Sequence, residues 1–328
     1  MNARMKPQNA AGPVFALSWL AFILLPVLLV YGLQAAGIVR AYHYQVLINM
    51  GVNVILAVSL NLVNGFNGQF SIGHAGFMGV GAYSAAVLTS KAMTMPFLPA
   101  TMIGGLATGL LAYLVGIPAF RTRSDYLAVI TLAFNMIVVN LLQNFDYVGG
   151  SRGLPGIMPY TNFAWVWGWV VMTVVVIRNL ILSAHGKAVI AIRENEVAAE
   201  LGGINLRYYK LLAFSIAAFF AGVAGSMSAH LLQFAAPQNF NIFRSFDILV
   251  MIYLGGIGSI TGAMGGAILW TLLLELLRPL GVWRLVVGPV LLVILMIGRP
   301  KGLMGTVEAG FIIQRAKRKE EKSHAAPA

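Results

Sequence analysis

The chain has 328 residues, of which 59% are hydrophobic and only 10% charged, against about 25% charged in ordinary soluble domains. A mean hydropathy of +0.82 and the lack of any cysteine exclude a soluble secreted enzyme, a disordered chain, a disulfide scaffold, a thiolate metal site and a cysteine nucleophile. The formal charge of +12 does not point to nucleic acid, because the basic residues lie between and beyond apolar stretches, as they do in a membrane protein.

In chain order, residues 1–13 form an N-terminal tail carrying Arg4 and Lys6. The apolar stretch at 14–33 is about one bilayer long, whereas the core of a signal peptide has roughly 7–15 residues, so it reads as a retained first helix. Further spans are expected at 43–63, 70–91, 97–119, 126–143, 163–182, 208–232, 246–260, 263–277 and 284–298. The third and eighth are Gly-rich and expected to be broken or re-entrant, and the last two are short enough for half-helices. The expected fold is an all-α polytopic membrane bundle of about ten transmembrane helices over 14–298. A basic tail follows over 299–328, where Arg315, Lys317, Arg318, Lys319 and Lys322 suit an anionic lipid surface. With both termini cytoplasmic, sixteen of the 22 Lys and Arg residues fall inside, and Arg40, Lys91, Arg152, Arg244, Arg278 and Arg284 fall outside. The reverse orientation violates the positive-inside rule.

Energy-coupling motifs are missing. The nearest approach to a phosphate-binding loop, Gly186-Lys187, is followed by Ala188 and has Ile181 where the first glycine belongs. Five scattered histidines have no metal-ligand spacing, and Asp247 and Glu275 sit near span ends rather than as an intramembrane pair. A driving reaction for uphill transport therefore belongs to another subunit.

The loop over 183–207 is patterned as a helix. Ser183 can cap its start, alanines favour it, and Gly202-Gly203 stop it. Arg193, Glu196 and Glu200 are spaced for one face and Ile190, Val197 and Leu201 for another. Such a helix fits a groove on a partner or lies on lipid; its acidic polar face favours the partner. Earlier, Asn61, Asn64, Asn67, Gln69, Ser71 and His74 accompany glycines at 65, 68, 73, 76, 79 and 81. Amides and hydroxyls at membrane depth need partners or a wet cavity, so this segment either lines a route or binds helices together. The small-residue pattern Gly258, Gly262, Gly266, and that of Ala217, Ala221 and Gly225, suit close helix packing.

Several of these segments carry a resemblance. GKA at 186–188, AIRENE at 191–196, AAE at 198–200, GIN at 203–205 and YKLLAF at 209–214 are similar to the M-type (LivM-like) permease subunit of branched-chain amino-acid ABC importers. So are GFNGQFSIGHAGF at 65–77, RTRSDYLAVITLAF at 121–134, GGSRGLPGI at 149–157, LGGIGSITG at 254–262 and RPKGLMG at 299–305. The resemblance implies a non-catalytic permease of the bacterial inner membrane with no cofactor of its own. Its implied partners are a second permease subunit, two cytoplasmic ATPases that bind the ATP, and an extracytoplasmic substrate-binding protein. It makes the loop the ATPase-coupling element, with Arg193, Glu194, Glu196, Glu200, Gly202 and Gly203 as its candidate residues. Asn64, Asn67, Gln69, Ser71 and His74 are the candidates for the translocation pathway. Met136, Val139 and Arg152 depart from the usual family residues, which extends the implied cargo to urea, short amides and aromatic acids. A self-sufficient channel or secondary carrier is the alternative of another class, and it has no use for a docking loop.

Overall fold

A chain in lipid has no water to satisfy its peptide groups, so long uncharged stretches close their hydrogen bonds as helices. The computed structural model describes residues 13–37, 39–92, 95–121 and 126–283, with isolated residues between 286 and 308. Its helices are α1 (Pro13–Ala35), α2 (Ala41–Asn61, prolonged by a wide turn over Leu62–Phe66), α3 (His74–Val87), α4 (Phe97–Ala119), α5 (Tyr126–Asn144) and α6 (Phe163–Leu182). There follow α7 (Ala184–Glu194), α8 (Glu196–Leu201), α9 (Leu206–Leu232), α10 (Ile242–Gly255) and α11 (Ile260–Leu276). Two short strands, β1 (Leu154–Pro155) and β2 (Phe234–Ala235), pair antiparallel with Leu154 opposite Ala235.

Among the described residues five helices are long and apolar enough to cross a membrane: Ala41–Phe66, α4, α5, α6 and α9. The expectation of about ten spans is therefore met only in part. The third expected span, 70–91, starts as non-helical chain and becomes helical only at His74. The eighth is the 14-residue α10, about 21 Å at 1.5 Å per residue and short of a hydrocarbon core of about 30 Å. The ninth is the 17-residue α11. The tenth, both tails, and Arg123 with its neighbours lie outside the described residues, apart from a few positions.

α2 runs through the centre, buried from Gly51 to Asn61, and α9 packs across α2, α3 and α4. Small residues set those crossings. A side chain at Gly81 would run into the backbone of Gly222, and one at Gly225 into the carbonyl of Met78. Gly262 and Gly266 similarly face Gly255 across α10 and α11, whereas Gly258 lies in the loop between these helices rather than on a helix face.

The elements sort to two ends. The end of α2, the α7–α8 pair, the start of α9 and the α10–α11 loop gather at one, where Arg193 reaches the Gly65 carbonyl. The α5–α6 loop and the α9–α10 loop meet at the other, where β1 and β2 pair and the Tyr83 hydroxyl donates to the Ala235 carbonyl at 2.8 Å. α10 begins between the two ends, beside Asn53 in the middle of α2.

Candidate functional site

The site grows from the place where α2 stops. A helix end leaves carbonyls without partners, and the chain here must also turn into a non-helical stretch. The Asn67 and Gln69 amides close back onto the Leu62 and Val63 carbonyls, at 3.1 and 3.0 Å. Gly68 takes a φ of +68°, a left-handed conformation that costs any L side chain about 1–2 kcal/mol. The Gly65 carbonyl is left, and Arg193 Nη1 donates to it at 3.0 Å from α7. A cation on the last turn of a helix is also favoured by the helix dipole.

From Asn67 to Gly73 the segment is non-helical and its burial alternates: residues 67, 69, 71 and 73 are buried, while 68 and 70 are exposed. The polar side chains face inward and Phe70, 43% exposed, faces out. Each inward residue but one has a partner. Asn64 and Ser71 clasp each other, the Asn64 amide donating to the Ser71 carbonyl at 3.3 Å and its oxygen accepting from the Ser71 amide at 3.2 Å. The Ile72 amide donates to Thr131 Oγ1 at 3.1 Å. His74 Nε2 lies 2.9 Å from Ser59 Oγ. Gln69 Nε2 donates to Glu196 Oε1 at 3.0 Å. Asn67 is the exception: it is fully buried, and neither atom of its amide has a partner among the described residues. Such a group is rare in folded proteins and calls for a specific explanation.

On the other side of the contact, the expected single helix over 185–202 is two. Ser183 caps α7, accepting from the Gly186 amide at 3.3 Å. α7 ends at Glu194 because Asn195 turns extended and caps α8, accepting from the Ala198 amide at 3.0 Å. α8 closes at Gly202, and Gly203 has a φ of +81°. The break separates Arg193 from Glu196 and Glu200, which stay one turn apart on α8. Arg193 points at Gly65 and pairs with Glu194 at 2.5 Å. Glu196 points at Gln69 and accepts from Lys210 Nζ at 2.7 Å. Glu200 is exposed, as are Val197 at 68% and Leu201 at 85%. α7–α8 therefore has an inner layer latched to residues 65–69 and an outer layer of two bare apolar side chains beside a carboxylate.

Three participants lie outside the candidate site residues, although Asn61 belongs to the polar cluster read from the sequence. Asn61 clamps the α10–α11 loop, its amide donating to the Ser259 carbonyl at 2.9 Å and its oxygen accepting from the Gly258 amide at 3.0 Å. Lys210 is fourteen residues from Glu196 and nearly buried. Glu308 accepts from the Ile260 and Thr261 amides at 2.6 and 3.1 Å, at the start of α11. Just before Glu308, the amides of Leu303 and Met304 close onto the Leu254 and Gly255 carbonyls, so the GLMG part of the RPKGLMG motif caps α10.

Residues 42–298 match the family described as "Branched-chain amino acid transport system / permease component". The chain is 32% identical over 288 residues to the high-affinity branched-chain amino acid transport system permease protein LivM of Escherichia coli, covering 77% of this chain and 68% of that one. It is 30% identical to the protein of the same name from Salmonella typhimurium, covering 83% and 72%. The probable LivM of Methanocaldococcus jannaschii is 22% identical, covering 71% and 80%. No solved structure matches. With a helical membrane architecture and a family match over most of its length, the chain belongs to the permease family of branched-chain amino acid transport systems.

Proposed function

We propose that this chain is the membrane-spanning permease subunit of an ATP-driven importer for branched-chain amino acids or close relatives, and that α7–α8 is its coupling element. The chain hydrolyses nothing itself. Two ATPase subunits on the cytoplasmic side bind the ATP, a second permease of the same family completes the membrane pore, and an extracytoplasmic protein delivers the solute. The bacterial inner membrane is its location, with the α7–α8 end in the cytoplasm. The basic residues of 183–207 (Lys187, Arg193 and Arg207) favour that side.

The observation that carries the reading is the two-layer construction of α7–α8. Val197, Leu201 and Glu200 give an ATPase a small apolar contact with a charged edge, the mode in which a short helix seats in a groove. Arg193 and Glu196 carry the resulting displacement to residues 65–69 through two charge-assisted bonds. That segment leads into residues 67–73, where Asn67 keeps a buried, unmet amide among the described residues. An unmet amide suits a route that water or a polar solute visits more than a closed packing contact. A channel or secondary carrier has no need of this linkage.

Reconstitution with its companion permease, ATPases and binding protein tests the reading. ATP-dependent uptake of leucine is expected. Equal uptake with a non-hydrolysable nucleotide, or by the permease pair without ATPases, would contradict it.

A further inference from the structure

The vestibule at the opposite end has chemistry that the coupling site does not use. A cavity of about 420 Å³ opens there, within the roughly 300–1,000 Å³ usual for small-molecule sites. Tyr42, Gln45 and Asn49 line one wall, one above another on α2. Glu275 and Arg278 at the end of α11 adjoin Tyr42 at the rim, and Met78 and Phe240 supply apolar surface. The floor is Arg244, in the first turn of the half-helix α10. On sequence, Arg244 counts among the external loop residues. Here it sits at the level of Asn53, twelve residues into α2 and so about 18 Å along it.

Arg244 is held and aimed. Its Nη2 donates to Asn53 Oδ1 at 2.6 Å, and the Asn53 amide nitrogen is itself tied to Thr271 Oγ1 at 2.8 Å. Among the described residues its remaining guanidinium N–H groups have no acceptor. The acidic group acting on it is Asp247, one turn further along α10. At the rim, Glu275 is already paired with Arg278 at 3.3 Å, and the Arg278 guanidinium lies 4.7 Å from the centre of the Tyr42 ring. A guanidinium at membrane depth is costly to keep and calls for an anionic partner. Glu275 and Arg278 offset each other and Asp247 is not part of the lining, so Arg244 is the charged lining group that has no ion pair among the described residues. Its planar fork matches a carboxylate.

We infer that this vestibule is an intramembrane site for the carboxylate end of the transported solute, with Arg244 as the anchor and the Met78–Phe240 surface taking an apolar side chain. The inference rests on the importer reading and deepens it, giving the permease a recognition site of its own for a small apolar amino acid between the binding protein and the route.

The test uses the assembled permease pair with its ATPases. The chain has no cysteine, so Asn49→Cys puts a single thiol on this subunit, whose labelling is read on its own band. The probe is labelling by a membrane-impermeant maleimide, without binding protein, in the presence of leucine or of isoamylamine, which is leucine lacking its carboxylate. Leucine is expected to slow labelling by about tenfold at saturation and isoamylamine not at all, and adding Arg244→Gln is expected to remove the protection while Arg244→Lys keeps part of it. Equal protection by both compounds, no protection by either, or full protection in Arg244→Gln would overturn the inference. If Arg244→Gln does not assemble, the comparison of the two compounds on Asn49→Cys alone decides. Failure here leaves ATP-dependent leucine uptake intact, whereas failure of the importer reading abolishes that uptake in the unsubstituted complex.

Discussion

At the scale of single residues, the bond between Gln69 and Glu196 shows how a contact 127 residues apart organises the site. Gln69 is 2% exposed and its amide meets a carboxylate that Lys210 also holds. Gln69→Leu keeps most of the volume but removes the donor. Lys210 still compensates the Glu196 charge, so assembly is expected to survive. The lost bond is worth about 1 kcal/mol once the partial exposure of Glu196 is allowed for, a change of about fivefold. Uptake per assembled complex should fall by that factor, measured as initial rate against complex in the membrane. A variant that loses assembled complex but transports normally per complex would make Gln69 structural glue. Sequence displayed which residue types crowd this segment, since amides and a histidine among glycines are conspicuous. It did not display their pairing. Asn61 with Gly258, Gln69 with Glu196 and Ile72 with Thr131 are all brought together by helix packing over long sequence distances.

At the scale of elements, capping chemistry was legible and continuity was not. Ser183 and the Gly202-Gly203 stop act as their types suggest. Asn195 is the residue that the helical pattern concealed. The same preference that makes asparagine a good first cap let it end α7 and start α8. The consequence is functional: Arg193 is turned away on α7, and of the two acids one turn apart on α8, Glu196 is engaged by Gln69 and Lys210 while Glu200 stays exposed. Val197 and Leu201 are exposed beside it. Replacing both by Asp should weaken association with the ATPases by more than about tenfold, since each buried side chain contributes about 1.5–3 kcal/mol. The permease pair should still form. The measurement is ATPase retained on the purified permease, and undiminished retention would move the docking surface elsewhere. Half-helices were likewise legible as short Gly-rich spans, but the depth at which α10 starts depends on the α9–α10 loop folding back against Tyr83.

At the scale of the molecule, hydropathy sufficed for the class and most spans, because a helix in lipid is specified by its own length and composition. The architecture beyond that is set by small residues at crossings and by polar clasps, which have no periodic signature. Its consequence is a continuous connection from the bare end of α8, through Arg193 and Glu196, into residues 65–69 at the foot of the buried central helix. The central claim is that α7 and this segment move as one body. Position 68 allows a direct test, because a Cβ placed on Gly68 lies 3.3 Å from Arg193 Cβ, close to the ~3.5–4.5 Å that a disulfide spans. In the chain's cysteine-free background, the double variant Gly68→Cys, Arg193→Cys lacks the guanidinium latch when reduced and has a covalent one when oxidised. ATP-dependent uptake by the reconstituted transporter is measured in both states. Uptake that is depressed when reduced and recovers on oxidation is the predicted result; uptake that is present when reduced and abolished by the disulfide would show that the two elements must separate, and would contradict the account.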